Sequence, residues 1–396
     1  MSNEVVIVGY VRTPIGKFGG SLKNLKTAQL CAECIKALLE RVNIDSNLID
    51  EVIIGSALQG GMAQNIARQA AFLAGLPLNV NAYTVNKVCS SGMQAIFEAY
   101  KDLVLKRAEI VIAGGAESMS TAPIALPSDV RWGFRHLILR DLKFIDLMVH
   151  DGLYDAIDNM IMGQEADKVA RMHNLSREEL DWYSYQSHMR AWKATEEKLF
   201  IDLEPVDTHV SGEKVFLDRD EGIRPDTSIE KLSKLKPVFN PDGLLTAGNS
   251  SQLSDGAAVL LLTTIDKAKE LGLKPIAKIV DYDWHLTDSW RFTEAPMHVI
   301  DKLLRKLKWS VNDVDVFEVN EAFASVPVMV NKYLKVPYSK MNLFGGAIAL
   351  GHPLGASGAR IVTTLLAVLK HVGGKRGIAA LCHGGGGATA IALEIT

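Results

Sequence analysis

The chain has 396 residues, a formal charge of −3 and 48% hydrophobic content, enough for two domains or for one large two-part domain with a substantial core. The near-neutral charge excludes an overall electrostatic pull toward nucleic acid or an anionic membrane surface, and no apolar run approaches the ~20 residues of a membrane span. Met1-Ser2-Asn3-Glu4 lacks the basic-then-apolar layout of a secretion signal, which sets the expectation of a cytoplasmic protein.

Val5 to Val8 is a continuous apolar run and predicts a buried strand. A loop follows at Thr13-Pro14-Ile15-Gly16 and Gly19-Gly20, then a helix from Thr27 to Leu39 with Thr27 as its cap. Cys31 and Cys34 lie within that helix. Leu30, Cys34, Leu38 and Leu39 share one face, and no second C-x-x-C accompanies the pair, so two core cysteines are expected rather than a redox or metal site. Val52 to Ile54 predicts a strand ending at Gly55, and Asn65 to Ala74 a helix broken by Leu76-Pro77-Leu78. Asn81 to Val85 reads as extended, and Ile110 to Ala113 as a strand closed by Gly114-Gly115. Strands alternating with helices argue for a mostly parallel sheet covered on both faces.

From Ser120 to Gly248 the βα rhythm is lost, and Trp132, Trp182, Tyr183, Tyr185 and Trp192 add aromatic weight. This stretch, which includes a charged helix over Ser176 to Lys198, predicts a subdomain inserted on top of the sheet. Gly256 to Leu262 restores a strand, and Lys267 to Leu271 a short helix. The second half then repeats the first. Ser91-Gly92 opens a helix that leads to Ile110–Ala113 and Gly114-Gly115; Ser357-Gly358 opens one that leads to Gly377–Leu381 and Cys382-His383-Gly384-Gly385. An internal duplication follows, with the two matching helix N-termini close together and Cys89 opposite Gly355, beside His352. The expected organisation is a first half at 1–119 and 249–269, the insertion at 120–248, and a second half at 270–396.

Cys89 stands in a turn at the mouth of the helix carrying Met93, Ile96, Phe97, Tyr100 and Leu103. Free N–H groups and a positive dipole end favour a thiolate there, which suits a covalent nucleophile. A thiol nucleophile needs a base and an oxyanion site. His352, set among glycines in Gly345 to Gly355, is the natural base. Gly384 can offer an unobstructed N–H, while His383 reads as a neighbour rather than a catalyst. Asn320, after the apolar run Val314–Val319, adds a polar group. A second thiol, Cys382, suits proton transfer at carbon, so the pair implies making or breaking a carbon–carbon bond.

These segments together resemble the thiolases. The resemblance spans essentially the whole chain and rests on Asn86 to Gly92, Gly248-Asn249-Ser250-Ser251, Asn320-Glu321-Ala322-Phe323, Gly345 to Arg360, and Cys382 with Gly384 to Gly387. It implies an α/β fold of duplicated βα halves in five αβαβα layers with an inserted loop domain, a homo-oligomer (dimer or tetramer), CoA thioester substrates, and no metal or cofactor beyond CoA as substrate. It implies Cys89 as the acylated nucleophile, His352 as its base and Cys382 as the acid/base at the α-carbon. Asn320 would hold a water that forms one oxyanion hole with His352, and the N–H groups of Cys89 and Gly384 the other. Leu153, Met162, Arg224, Ala247 and Ser251 would grip CoA, and Phe292, Ala322 and Phe323 would line the acyl pocket.

The chain departs from short-chain biosynthetic members at Ile161, where many have His, and at Asn249-Ser250-Ser251-Gln252, a version closer to degradative members. The stretch Asp288 to Thr293 also lacks their usual Met-Gly version. The function expected is reversible Claisen condensation of two acetyl-CoA to acetoacetyl-CoA within fatty acid metabolism. The alternatives are degradative cleavage of longer 3-ketoacyl-CoA chains and a non-catalytic acyl-CoA or lipid carrier on the same fold. Related condensing synthases use Cys with two His, or His and Asn, and lack a counterpart to Cys382.

Overall fold

A computed structural model describes residues 4–137, 143–210 and 212–396. Its main sheet has ten strands. They are β1 (Val5–Arg12), β2 (Gly16–Lys17), β3 (Glu51–Gly55), β4 (Asn81–Val85), β5 (Ile110–Ser118), β6 (Ser254–Thr264), β7 (Ala277–Leu286), β8 (Val316–Val319), β9 (Arg376–His383) and β10 (Gly387–Ile395). The spatial order is β8-β9-β10-β7-β1-β6-β5-β3-β4, with β2 beside β6. Outward from the centre, β1·β6 and β6·β5 are antiparallel, while β5·β3 and β3·β4 are parallel. On the other side β7·β10 and β10·β9 are antiparallel and β9·β8 is parallel. An isolated parallel bridge from Phe317 to Met341 stands where β4 stands in the first half. The duplication read from the helix openings is thus repeated in the pairing senses. The sheet is mixed, against the expectation of a mostly parallel one, because each half ends on a strand, β6 or β10, that returns antiparallel through its middle.

Five layers result. The Ser91–Val104 and Leu354–Val372 helices pack on each other between the two sheet halves. Thr27–Val42 and Ile66–Leu73 cover one outer face; Ala295–Leu307 and Ser325–Leu334 cover the other. Leu354–Val372 is buried from Leu354 through Leu369, and a helix apolar on every side is stable only when surrounded. It starts three residues before the expected Ser357.

Glycines set the spacing of the middle layer. A Cβ on Gly92 would lie 2.8 Å from the Gly355 carbonyl oxygen, and one on Gly358 2.4 Å from the Met93 nitrogen. Gly115 belongs to the same crossing: its Cβ would fall 2.0 Å from the Gly355 oxygen. Gly114-Gly115 therefore sits inside β5, which runs on to Ser118, and does not close it as expected. Thr27 is likewise not the cap. Lys26 holds that position, and the Thr27 hydroxyl instead accepts a hydrogen bond from the Ser118 N–H at 3.2 Å. Cys31 and Cys34 are free and buried, as expected.

Between β5 and β6 the chain leaves the sheet and forms, among others, the helices Met162–Met172 and Arg177–Glu196, the latter capped by Ser176. Buried polar groups tie this part down. Arg12, fully buried, pairs with Asp202 at 3.0 Å and Asp220 at 2.7 Å. Glu321 accepts from Tyr183 at 2.8 Å and Ser187 at 2.7 Å. Among the described residues no helix is long and apolar enough to cross a membrane.

The helix crossing yields a direct expectation. Gly358→Ala should force the two middle helices apart and cost about 1–3 kcal/mol, the usual range for overpacking. Denaturant titration should show a lower midpoint at unchanged slope, with activity falling in parallel. Wild-type stability and activity would show that the crossing relaxes freely.

Candidate active site

The turn 86–90 is built by its own side chains. Asn86 accepts from the Val88 N–H at 2.9 Å, and Ser91 accepts from Lys87 N–H at 2.8 Å while donating to the Val88 carbonyl at 2.6 Å. Val88 adopts φ 50, a left-handed conformation that a β-branched residue holds only when its surroundings impose it. The strain places Cys89 just before the helix that starts at Ser91. The Cys89 thiol is 8% exposed. Burial pushes its pKa up to about 12, and the N–H groups of Gly384 and Cys89 itself offset this only in part. The expectation of an acidic thiol is corrected here: burial outweighs the helix N-terminus, so the resting thiol keeps its proton and needs a base.

His352 meets that need. Its Nδ1 lies 2.6 Å from the Ser357 hydroxyl, which itself donates to the Pro353 carbonyl at 2.9 Å. A hydroxyl has one proton, so Ser357 accepts from Nδ1–H, and this network assigns the free lone pair to Nε2. Nε2 is buried and has no protein partner. Burial first, then the Arg360 guanidinium, hold the His352 pKa down to about 3, so the ring is neutral. Arg360 also donates to Asn320 Oδ1 at 2.9 Å, which turns the Asn320 amide nitrogen toward His352 Nδ1 at 3.5 Å. Ser357 and Arg360 are positioning groups, a role the sequence reading did not give them. Each lies one helical turn or two beyond His352, a spacing that could have flagged them.

Cys382 is the last residue but one of β9, 1% exposed. Burial, and next the neighbouring Cys89, raise its pKa well above the ordinary thiol value, so the two thiols share one site. His383 donates from Nδ1 to the Gly384 carbonyl at 2.7 Å, and burial lowers its pKa to about 4. Glycine is not demanded at Gly384, where a Cβ would meet only Met162 and Val88 at 3.5 Å. It is demanded at Gly386, where one would fall 2.4 Å from the Thr287 oxygen.

A cleft of ≈ 550 Å³ opens beside His352. It is lined by all five expected CoA-gripping residues, Leu153, Met162, Arg224, Ala247 and Ser251, and by Phe323. Phe292 and Ala322 sit behind it: the Phe292 and Phe323 rings lie 6.4 Å apart, and the Ala322 carbonyl accepts from Ser251 N–H at 3.0 Å. Ile161 also lines the cleft. Gln252 lines it too, with its amide fastened to the Gly222, Ile348 and Ala349 carbonyls. Phe239 was missed by the sequence reading; its ring packs edge-on to Phe323 at 5.9 Å and fills the space a side chain on Gly163 would need.

Family models describing the thiolase N-terminal and C-terminal domains match residues 5–266 and 273–395. The chain belongs to the thiolase family. It is 44% identical to an acetyl-CoA acetyltransferase of Synechocystis over 393 residues, 99% of each chain. It is 43% identical to a probable acetyl-CoA acyltransferase of Staphylococcus aureus over 394 residues, again 99% of each. Among solved structures it matches the Bacillus anthracis acetyl-CoA acetyltransferase with a TM-score of 0.96 at 41% identity, covering 100% of both chains. It matches human mitochondrial 3-ketoacyl-CoA thiolase with 0.95 at 37% identity over 99% of both.

In this thiolase the resting pair is a neutral thiol and a neutral imidazole. Alkylation of Cys89 by iodoacetamide in the free protein should therefore climb roughly tenfold per pH unit from about pH 7 to 10, since a raised pKa keeps the thiolate scarce until high pH. His352, held low, is already neutral over that range and should add no inflection. A rate plateau near pH 7 would mean a preformed thiolate–imidazolium pair instead.

Proposed function

We propose that the chain catalyses reversible Claisen condensation of two acetyl-CoA to acetoacetyl-CoA and CoA. The observation that carries this reading is a pair of neighbouring buried thiols and a neutral histidine with a free Nε2 lone pair, Cys89 and His352 each standing three residues before a glycine at which the two middle helices cross. Nε2 takes the Cys89 proton as sulfur attacks the thioester carbonyl. The carbonyl oxygen becomes anionic and is stabilised by the Cys89 and Gly384 N–H groups. The carbon–sulfur bond to CoA breaks, and His352 returns the proton to the departing CoA thiolate.

Acylation occupies the Cys89 sulfur and leaves Cys382 as the free thiol of the pair. His352 now takes the Cys382 proton, and the Cys382 thiolate takes an α-proton from the second acetyl-CoA, whose enolate oxygen is held by protonated His352 and a water on Asn320. The α-carbon attacks acetyl-Cys89, the acyl–sulfur bond breaks, His352 gives its proton to the departing Cys89 thiolate, and the product is acetoacetyl-CoA. Arg224, exposed and in no ion pair among the described residues, suits the nucleotide phosphates, and Ser251 the pantetheine arm. The 120–248 segment serves as the CoA-binding loop domain between halves at 1–119 with 249–269 and at 270–396.

The aromatic wall of Phe239, Phe292 and Phe323 favours a short acyl group over the longer chains of degradative members. Family membership supports two finer readings: action within fatty acid metabolism, and no cofactor beyond CoA as substrate. The open edge of the sheet at β4 supports a dimer or tetramer of this chain.

Exposure to acetyl-CoA should add one acetyl group on Cys89, seen by mass spectrometry; equal labelling of Cys89→Ala would sink the assignment. Cys382→Ser should still form acetyl-Cys89 but lose condensation and methyl-proton exchange with deuterated water by at least about 10²–10⁴-fold. Near wild-type condensation by that variant would show the thiols do not divide the work this way.

Arg224→Ala should raise KM for CoA substrates with kcat little changed, the pattern for lost uniform binding. A fall in kcat at unchanged KM would refute its role.

A further inference from the structure

Val316, Glu318 and Asn320 alternate along β8 and its end, so their side chains share one face. Asn320 continues the ladder through its N–H bond to the Ala380 carbonyl at 2.9 Å. That face meets the Leu354–Val372 helix, which runs the opposite way. Val316 pairs with Gly377, where a Cβ would lie 2.7 Å from Leu365 and 2.9 Å from Leu369, while Arg360 donates to Asn320. Glu318 stands between these two contacts, against the helical turn from Arg360 to Thr364.

Buried polar atoms gather there that no protein group meets: Glu318 Oε1, Arg360 Nε and Nη1, and the Thr364 hydroxyl. Glu318 and Arg360 are 1% and 2% exposed. Burial pushes Glu318 up to about 8, and Arg360 is the leading charge against that rise, ahead of Glu321, Asp202 and Arg190. Burial likewise lowers Arg360, and Glu318 is the leading charge that opposes it. Each is the other's main electrostatic neighbour, with no hydrogen bond between them. Unmet donors and acceptors around one buried point are the setting in which proteins retain an ordered water.

We propose that Glu318 is a positioning residue for the condensation step, a role that rests on the function proposed above. Through one water shared with Thr364 it fixes the Arg360 guanidinium, and Arg360 fixes the Asn320 amide. A guanidinium is a rigid planar fork, so holding Nε and Nη1 also sets Nη2, which donates to Asn320 Oδ1. With Oδ1 taken, the amide nitrogen is the end left for the water that meets the enolate. Acylation draws on the Cys89 and Gly384 N–H groups instead and does not need Asn320.

Glu318→Leu removes the acceptor at comparable size. It should still form acetyl-Cys89 at the wild-type rate but lose condensation and methyl-proton exchange by about 10–100-fold, less than the ~10²–10³-fold cost of deleting an oxyanion donor outright. Glu318→Gln keeps an acceptor oxygen in place and should restore both. Near wild-type condensation by Glu318→Leu, an equal loss of both half-reactions, or no rescue by Glu318→Gln would overturn the proposal. Wild-type protein that forms acetyl-Cys89 but neither condenses nor exchanges would refute the function itself, and this role with it. A wild-type crystal structure that resolves ordered water gives a check no misfolded variant can spoil. It should show a water joining Glu318 to Arg360; a dry gap there would overturn the proposal even with the function intact.

Discussion

The close crossing of two buried helices is the constraint on which the rest of this structure depends. Gly92 follows Cys89 by three residues and Gly355 follows His352 by three, and these glycines let the helix backbones meet without Cβ atoms between them. Packing in protein interiors leaves little slack, so a crossing set at this distance also sets the separation of the loops that lead into it. Glu117 reinforces the same point. It is fully buried and accepts from Ser56 at 2.9 Å, Ala57 N–H at 2.8 Å and Gly355 N–H at 2.9 Å, which ties one half's loop to the other half's helix.

Burial then decides the electrostatics. Enclosing the site in apolar layers raises both thiols and lowers the histidine, so the resting protein carries no charge on the three groups that move protons. Such a site avoids the cost of a buried, unpaired ion until substrate enters. The Arg360 guanidinium works through position: it turns Asn320 and adds to burial in keeping His352 neutral. Thiol chemistry here depends on a base with a defined tautomer, and Ser357 defines it.

The insertion is held on the core by charge and hydrogen bonding. Arg12 joins Asp202 and Asp220, and Glu321 gathers Tyr183, Ser187, Asn342 and the Ile348 N–H. Glu321 neighbours Asn320 in the chain, so the group that fastens the insertion sits one residue from a group of the site. That adjacency brings the cleft lined by Met162, Arg224 and Ser251 beside His352.

By itself the sequence determined the elements and the chemistry-bearing residues. Helical periodicity after Cys89, the apolar runs of β1, β3 and β8, and the repeated order of helix, strand and paired glycines are local signals, each set by neighbouring residues, and they located Cys89, His352, Asn320 and Cys382. Tertiary structure alone decided what depends on enclosure and direction. Strand sense is decided by where a chain returns, so the antiparallel β6 and β10 left no local mark. Gly114-Gly115 reads as a stop from composition, yet it lies mid-strand because the Gly355 carbonyl needs its space. A helix N-terminus argues for an acidic Cys89, but desolvation depends on everything packed around the sulfur, and that larger effect reverses the direction of the shift.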